Sequence, residues 1–226
     1  DLAGCLTRAD RDGDVFILQL DDGENRLSPS TLDEVSEALQ TVEDAEGPKA
    51  LVTCGTGKFF SNGLDLDHLA ANPNDLGPYL FRVHRLFSRI LSLPCATVAA
   101  QNGHTFAAGA MLAICHDHRV MREDRGYWCL PEVDLGMPFT DGMNALIPAR
   151  IPLMTAHEAM VTGRRYTGAD ALAAGIVQEL AAEDQVLPRA VEVAQSLAGK
   201  AGPGIAGIRT HLHAHVIAHL LGTEHD

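Results

Sequence analysis

Twice in this chain a short run of small and β-branched apolar residues ends in a glycine-bearing turn. ALVTC at 50–54 runs into GTGKFFSNGLDL, and CATVAA at 95–100 runs into QNGHTFAAGAM. Each run reads as a short buried strand that leaves through glycine. Helical periodicity lies between them. Ser28 offers an N-cap and Pro29 a first-turn proline ahead of Leu32, Val35, Leu39 and Val42, and 76–93 sets Leu80, Val83, Leu86, Phe87 and Ile90 on one face before Pro94 stops it. DVFILQL at 14–20, HRVM and YWCL read as further strands, and helices are expected over 141–151, 155–162, 168–174, 185–198 and 205–221. Strand, glycine turn and helix in repetition give an α/β chain.

The two turns also carry chemistry. Backbone N–H groups at a turn or a helix N-terminus are unpaired, point outward and sit at the positive end of the helix dipole, so they suit developing negative charge. The thin side chains of Ala107, Ala108 and Gly109 would let a ligand carbonyl approach the main chain closely. Taken alone, the same thin segment is also what a helix packed tightly on a strand requires.

Composition bounds the partners. With a formal charge of −13 and no basic run, the chain is not built for nucleic acid or anionic membranes, and an anionic ligand would need a local basic site. No apolar run approaches the roughly 20 residues of a membrane helix, and no basic n-region or long apolar h-region opens the sequence, so a cytoplasmic protein is expected. Cys5, Cys54, Cys95, Cys115 and Cys129 are odd in number, lack a Cys-x-x-Cys pair and mostly sit in apolar segments, which suits buried reduced thiols.

KFFSNGLDL, NGHTFAAGAMLAICHD and LPEVDLGMP, in that order and spacing, resemble the crotonase (enoyl-CoA hydratase/isomerase) superfamily, and its 3,2-trans-enoyl-CoA isomerase branch in particular. The likeness continues through RRYTGADALAAGIVQEL and so covers most of the chain. It implies a crotonase-like spiral of ββα units over 1–184 and a helical region over 185–226 that covers the active site and makes homotrimers or hexamers. It implies an acyl-CoA thioester substrate, with coenzyme A as part of the substrate and no separate cofactor.

The site residues follow from the same resemblance. The oxyanion-hole donors would be the backbone N–H groups of Leu64, after Gly63, and of Ala108. Hydratases of the family carry two catalytic glutamates; one position is Met111 here and the other is Glu132. Adding water to a 2-enoyl-CoA draws on two carboxylates, whereas one can carry a proton from C2 of a 3-enoyl-CoA to C4. Glu132 is therefore expected to be the acid/base of an isomerase, its pKa raised by an apolar acyl pocket. The plainer reading of Glu132 is a carboxylate at a strand end capping a turn; Asp134, two residues on, would share its face in an extended strand. Lys58 and Asn62 fall where the family contacts coenzyme A, while a second family lysine is Asp67 here. Arg82, Arg85 and Arg89 would supply charge instead, or form a solvated helix face.

Other readings stay open: another crotonase reaction such as hydration, or an acyl-CoA-binding protein without turnover. CGTGKFF lacks the spacing of a P-loop. HLHAHVIAH sets His211, His215 and His219 four apart on one predicted helix face with His213 off it, which suggests a polar face at a subunit contact rather than a metal site. His104 is expected to be a packed or capping residue.

Overall fold

The computed structural model describes residues 7–222. Its strands are β1 (Thr7–Asp12), β2 (Val15–Leu20), β3 (Ala50–Gly55), β4 (Phe59–Ser61), β5 (Ala96–Gln101), β6 (His104–Phe106), β7 (His118–Arg122), β8 (Trp128–Cys129) and β9 (Glu179–Ala181). They form a six-stranded sheet in the order β1-β2-β3-β5-β7-β9 and a three-stranded sheet in the order β4-β6-β8. Among these described strands β1 and β2 pair antiparallel and the other strand pairs are parallel, while Trp128 of β8 adds a single antiparallel bridge to Tyr166.

The helices are α1 (Pro29–Asp44), α2 (Leu66–Ala71), α3 (Leu76–Ser92), α4 (Ala108–Cys115), α5 (Asp141–Arg150), α6 (Leu153–Thr162), α7 (Gly168–Ala173), α8 (Val186–Leu197), α9 (Pro203–Leu212) and α10 (Ala214–Leu221). The chain advances as a spiral: one strand in the large sheet, a tight corner, one strand in the small sheet, then helix, repeated through β3-β4, β5-β6 and β7-β8. Glycine makes the corner possible at Gly103, where a Cβ would run into the carbonyl of Lys58 on the neighbouring turn of the spiral.

Period-2 alternation divides the large sheet between two cores. Phe16, Leu18, Leu20, Leu51 and Ala99 face α1, α3 and α4, while Val15, Val52, Val98 and Val120 face Ala190 and Ala194 of α8. Burial on both faces is why these strands read as continuous apolar runs. Cys54, Cys95, Cys115 and Cys129 are buried free thiols, and burial lifts each well above the ordinary thiol range, Cys54 and Cys115 to about 12. Cys5 lies outside the described residues.

The helix expected over 205–221 is two helices. The chain leaves the helical path at His213 (φ −103°, ψ 10°), which is buried, and burial drives its imidazole down to about 4. The break has a packing cause. Arg209 donates to the carbonyls of Ile90, Leu91 and Cys95 and pairs with Asp117, fixing α9 beneath the end of α3, while α10 turns back across α3 and α5. His211, on α9, donates to the Gly207 carbonyl, and His215 and His219 pack ring to ring on α10, so the three do not share one helix face.

Candidate active site

A cavity of about 350 Å³ opens where the turns after β4 and β6 meet. After β4 the chain passes through Asn62 and Gly63 (φ +86°) to Leu64 and then α2, with the Gly63 carbonyl accepting from Leu27 N–H (2.8 Å). After β6 it passes through Ala107 to Ala108, the first residue of α4. The turns touch: a Cβ on Gly63 would lie 2.9 Å from the Ala107 Cβ and 3.1 Å from Ala108 N. Leu64 and Ala108 both line the cavity, and among the described residues neither backbone N–H has a hydrogen-bond acceptor. Two unspent donors, one at a helix N-terminus, thus belong to residues that line one cavity.

Ala107 carries strain. Its φ of 51° and ψ of −125° belong to the first central position of a type II′ turn, where glycine is the usual occupant. Its N–H donates to the Cys129 carbonyl of β8 (3.0 Å) and its carbonyl accepts from Met111 N–H (3.1 Å), so the turn is held from both sides. Ala107→Gly is expected to raise the unfolding free energy by about 1 kcal/mol, read as a higher denaturant midpoint at unchanged slope. Gly109 explains why the segment stays thin: a Cβ there would sit 2.5 Å from the Ser61 carbonyl oxygen.

Glu132 reaches the cavity from a single 3₁₀ turn, Pro131–Val133, not from a strand end. The turn closes because the Glu132 carbonyl accepts from Leu135 and Met137 N–H. The residue is 8% exposed, and its Oε2 is buried with no hydrogen-bond partner. Desolvation pushes the carboxyl up to about 7, against a small opposing pull from its own backbone N–H. Because the backbone is helical here, Asp134 does not share the face of Glu132; it is exposed and stays out of the cavity lining.

The remaining expected residues fall in different places. Met111 is fully buried in the core and contributes nothing to the cavity surface. Asn62 lines the cavity, but its amide donates to Glu24 Oε2 (2.9 Å). Lys58 is exposed on the turn before β4, its ammonium 5.4 Å over the Phe59 ring, and does not line the cavity. Arg82, Arg85 and Arg89 all stay outside the cavity lining: Arg82 and Arg89 bridge α3 to α1 through Asp33 (2.5 Å) and Glu43 (3.0 Å), and Arg85 is exposed on the helix face. His104 is packed among Phe59, Phe106 and Tyr127.

Arg26 escaped the sequence reading. A lone arginine in a turn has no pattern to betray it, yet it stands at the cavity mouth, 2.6 Å from Asp67 and 2.8 Å from Glu24. Asp67 is 88% exposed in its side chain, so Glu132 is the only buried carboxylate in the lining. Leu76 and Leu80 of α3 and Met137 and Met143 complete an apolar wall. The lining thus brings together two main-chain donors without acceptors and one buried carboxyl group.

A family model described as enoyl-CoA hydratase/isomerase matches residues 10–223. Enoyl-CoA delta isomerase 2, peroxisomal, of Arabidopsis thaliana is 35% identical over 94% of this chain and 93% of its own length. A carnitinyl-CoA dehydratase of Salmonella paratyphi A is 32% identical over 88% of this chain and 77% of its own. The crystal structure of a probable enoyl-CoA hydratase from Mycobacterium tuberculosis superposes with a TM-score of 0.89 at 29% identity, covering 96% of this chain and 92% of that one.

Proposed function

This chain belongs to the enoyl-CoA hydratase/isomerase family, and on that premise we propose that it moves a double bond in an acyl-CoA, converting 3-enoyl-CoA to trans-2-enoyl-CoA. The observation that carries this reading is the pairing of one buried, unpartnered carboxyl group, Glu132, with two unbonded backbone donors, Leu64 and Ala108, around an apolar cavity. The thioester oxygen takes the two N–H groups. Glu132 removes a proton from C2, the electron pair moves into the thioester as a dienolate, and the same carboxylic acid returns the proton to C4 while the C2–C3 double bond forms. No electrons or atoms enter or leave.

The buried methionine at 111 supports isomerisation over hydration, since water addition draws on a second group to position and activate the water. The carnitinyl-CoA dehydratase relative favours the second reading, hydration of a 2-enoyl-CoA by the same carboxylate. Gain of thioester conjugation from 3-hexenoyl-CoA, followed by ultraviolet absorbance, tests the first reading; no gain at any enzyme concentration rejects it.

The reaction begins with Glu132 as a base, so its ionised form is the active one in free enzyme. With the carboxyl at about 7, kcat/KM is expected to rise tenfold per pH unit below that value and to level above it. A profile flat from pH 5 to 8 would exclude Glu132 as the base. Exposed Ile208 and Leu212 on α9, with Leu153 and Met154 on α6, support self-association. We infer a homotrimer or a hexamer of two trimers, which light scattering on the purified protein checks.

A further inference from the structure

The cavity wall contains one more polar group, the Thr140 hydroxyl, and its hydrogen is already spent. Thr140 is the N-cap of α5 and accepts from Met143 N–H (3.2 Å). Its Oγ1 lies 2.9 Å from Nε2 of His84, a buried residue of α3, and His84 Nδ1 lies 3.1 Å from the Leu220 carbonyl of α10. A carbonyl oxygen only accepts, so Nδ1 carries the hydrogen. Burial lowers the His84 pKa and keeps the ring neutral, which leaves Nε2 as a bare lone pair. Thr140 O–H must therefore donate to Nε2. One imidazole joins three helices and leaves Thr140 with no hydrogen to offer the cavity.

That matters because of what else donates there. Leucine, methionine and proline supply most of the cavity lining, and apart from the Arg26 and Asn62 side chains, which are already bonded to Glu24, its unspent donors are the Leu64 and Ala108 amides. A third free donor would hold a water molecule inside the cavity beside the reacting chain, or offer the thioester oxygen a competing seat. On the isomerase reading Met111 stands where hydration would use a second carboxylate, and His84 takes the hydrogen with which Thr140 would donate to a water.

We propose that His84 is a positioning residue for reaction selectivity: held between the Leu220 carbonyl and the Thr140 hydroxyl, it turns that hydroxyl out of the cavity and so suppresses hydration in favour of isomerisation. The proposal rests on the isomerase reading for its activity readout, and on the hydrogen-bond geometry alone for its spectroscopic one.

Three variants separate this role from simple packing. His84→Asn places an amide near Nδ1, keeping a donor toward Leu220 but nothing to accept from Thr140. His84→Gln reaches the Nε2 position with a carbonyl that accepts from Thr140. In the double variant H84N/T140V there is no hydroxyl to place. With 3-hexenoyl-CoA, the ratio of 3-hydroxyacyl-CoA to 2-enoyl-CoA formed in initial turnover is expected to rise roughly tenfold in H84N. It should stay at the wild-type value in H84Q, and H84N/T140V should match T140V. An unchanged ratio in H84N, an equal rise in H84N and H84Q, or a rise that persists in H84N/T140V relative to T140V overturns the proposal.

The second readout needs no turnover. Nitrogen NMR of the wild-type protein should show His84 as the Nδ1-protonated neutral tautomer, with the Nε2 resonance moved by T140V; the opposite tautomer overturns the assignment. Should the wild type turn over no 3-enoyl-CoA, the isomerase reading fails, and the placement of the Thr140 hydroxyl stands or falls on the nitrogen spectrum.

Discussion

Glu132→Gln is expected to slow isomerisation of 3-enoyl-CoA by roughly a thousandfold in kcat, with acyl-CoA affinity changed by no more than a few-fold, because loss of a positioned acid/base is worth about 10²–10⁴. The amide keeps the shape of the side chain and its buried site but cannot take a proton from C2. The same variant carries a stability signature that a surface glutamate would not. Burial holds the carboxyl at about 7 in the folded protein, above the ordinary glutamate value of 4.5, so between those values the folded protein binds the extra proton. Stability therefore falls as pH rises through that window, by roughly 3 kcal/mol once the carboxylate is ionised in both states. Gln escapes this penalty. At pH 8 the variant should unfold at a higher temperature than the wild type, and at pH 4.5 the two should converge. Equal midpoints at pH 8 would show that Glu132 is solvated and not held in a dry cavity.

Gly63→Ala is the second large effect. The residue has φ +86°, which an L side chain resists, and its new Cβ would fall 2.9 Å from the Ala107 methyl and 3.1 Å from Ala108 N. Neither neighbour can yield freely, since Ala107 is pinned to β8 and to α4 by its own backbone hydrogen bonds. The turns must separate, and the two amides lose their common focus. Loss of one well-aimed oxyanion donor costs about 10²–10³ in kcat, and that range is expected here together with a loss of about 2 kcal/mol in stability. Leu64→Ala serves as the contrast: its donor is main chain, so kcat should hold while apolar contact is lost. Steady-state kinetics and denaturant unfolding on the same preparations decide it; full activity in G63A would mean the amides do not act as a pair.

The legible parts of this chain were those that repeat a physical pattern. ALVTC and CATVAA gave up β3 and β5 because burial on both faces leaves no polar alternation, and 76–93 gave up α3 through its apolar stripe. The three-residue strands β4 and β6 were invisible, since neither is long enough to show a period, and their residues read as turn. The break at His213 was hidden for another reason: local helical periodicity runs straight through it, and what parts α9 from α10 is the long-range anchoring of Arg209 under α3.

The site divides the same way. Resemblance pointed to Glu132, Leu64 and Ala108, and the fold brings all three to one cavity. It also pointed to Lys58, which the fold leaves outside the lining, and it missed Arg26 at the mouth. Thr140 and His84 lie 56 residues apart and are brought together where α10 packs across both α3 and α5. No spacing in a sequence records such a contact.

A cavity with one buried carboxyl group and two amide donors is expected to isomerise and not to hydrate. The most direct measurement is a paired absorbance assay on one preparation, with gain of conjugation from 3-hexenoyl-CoA set against loss of conjugation from trans-2-hexenoyl-CoA. Isomerisation should exceed hydration by about a hundredfold or more in kcat/KM, the worth of a missing second acid/base. Hydration equal to isomerisation, or faster, would contradict this and show that water is activated without a second buried carboxylate in the cavity.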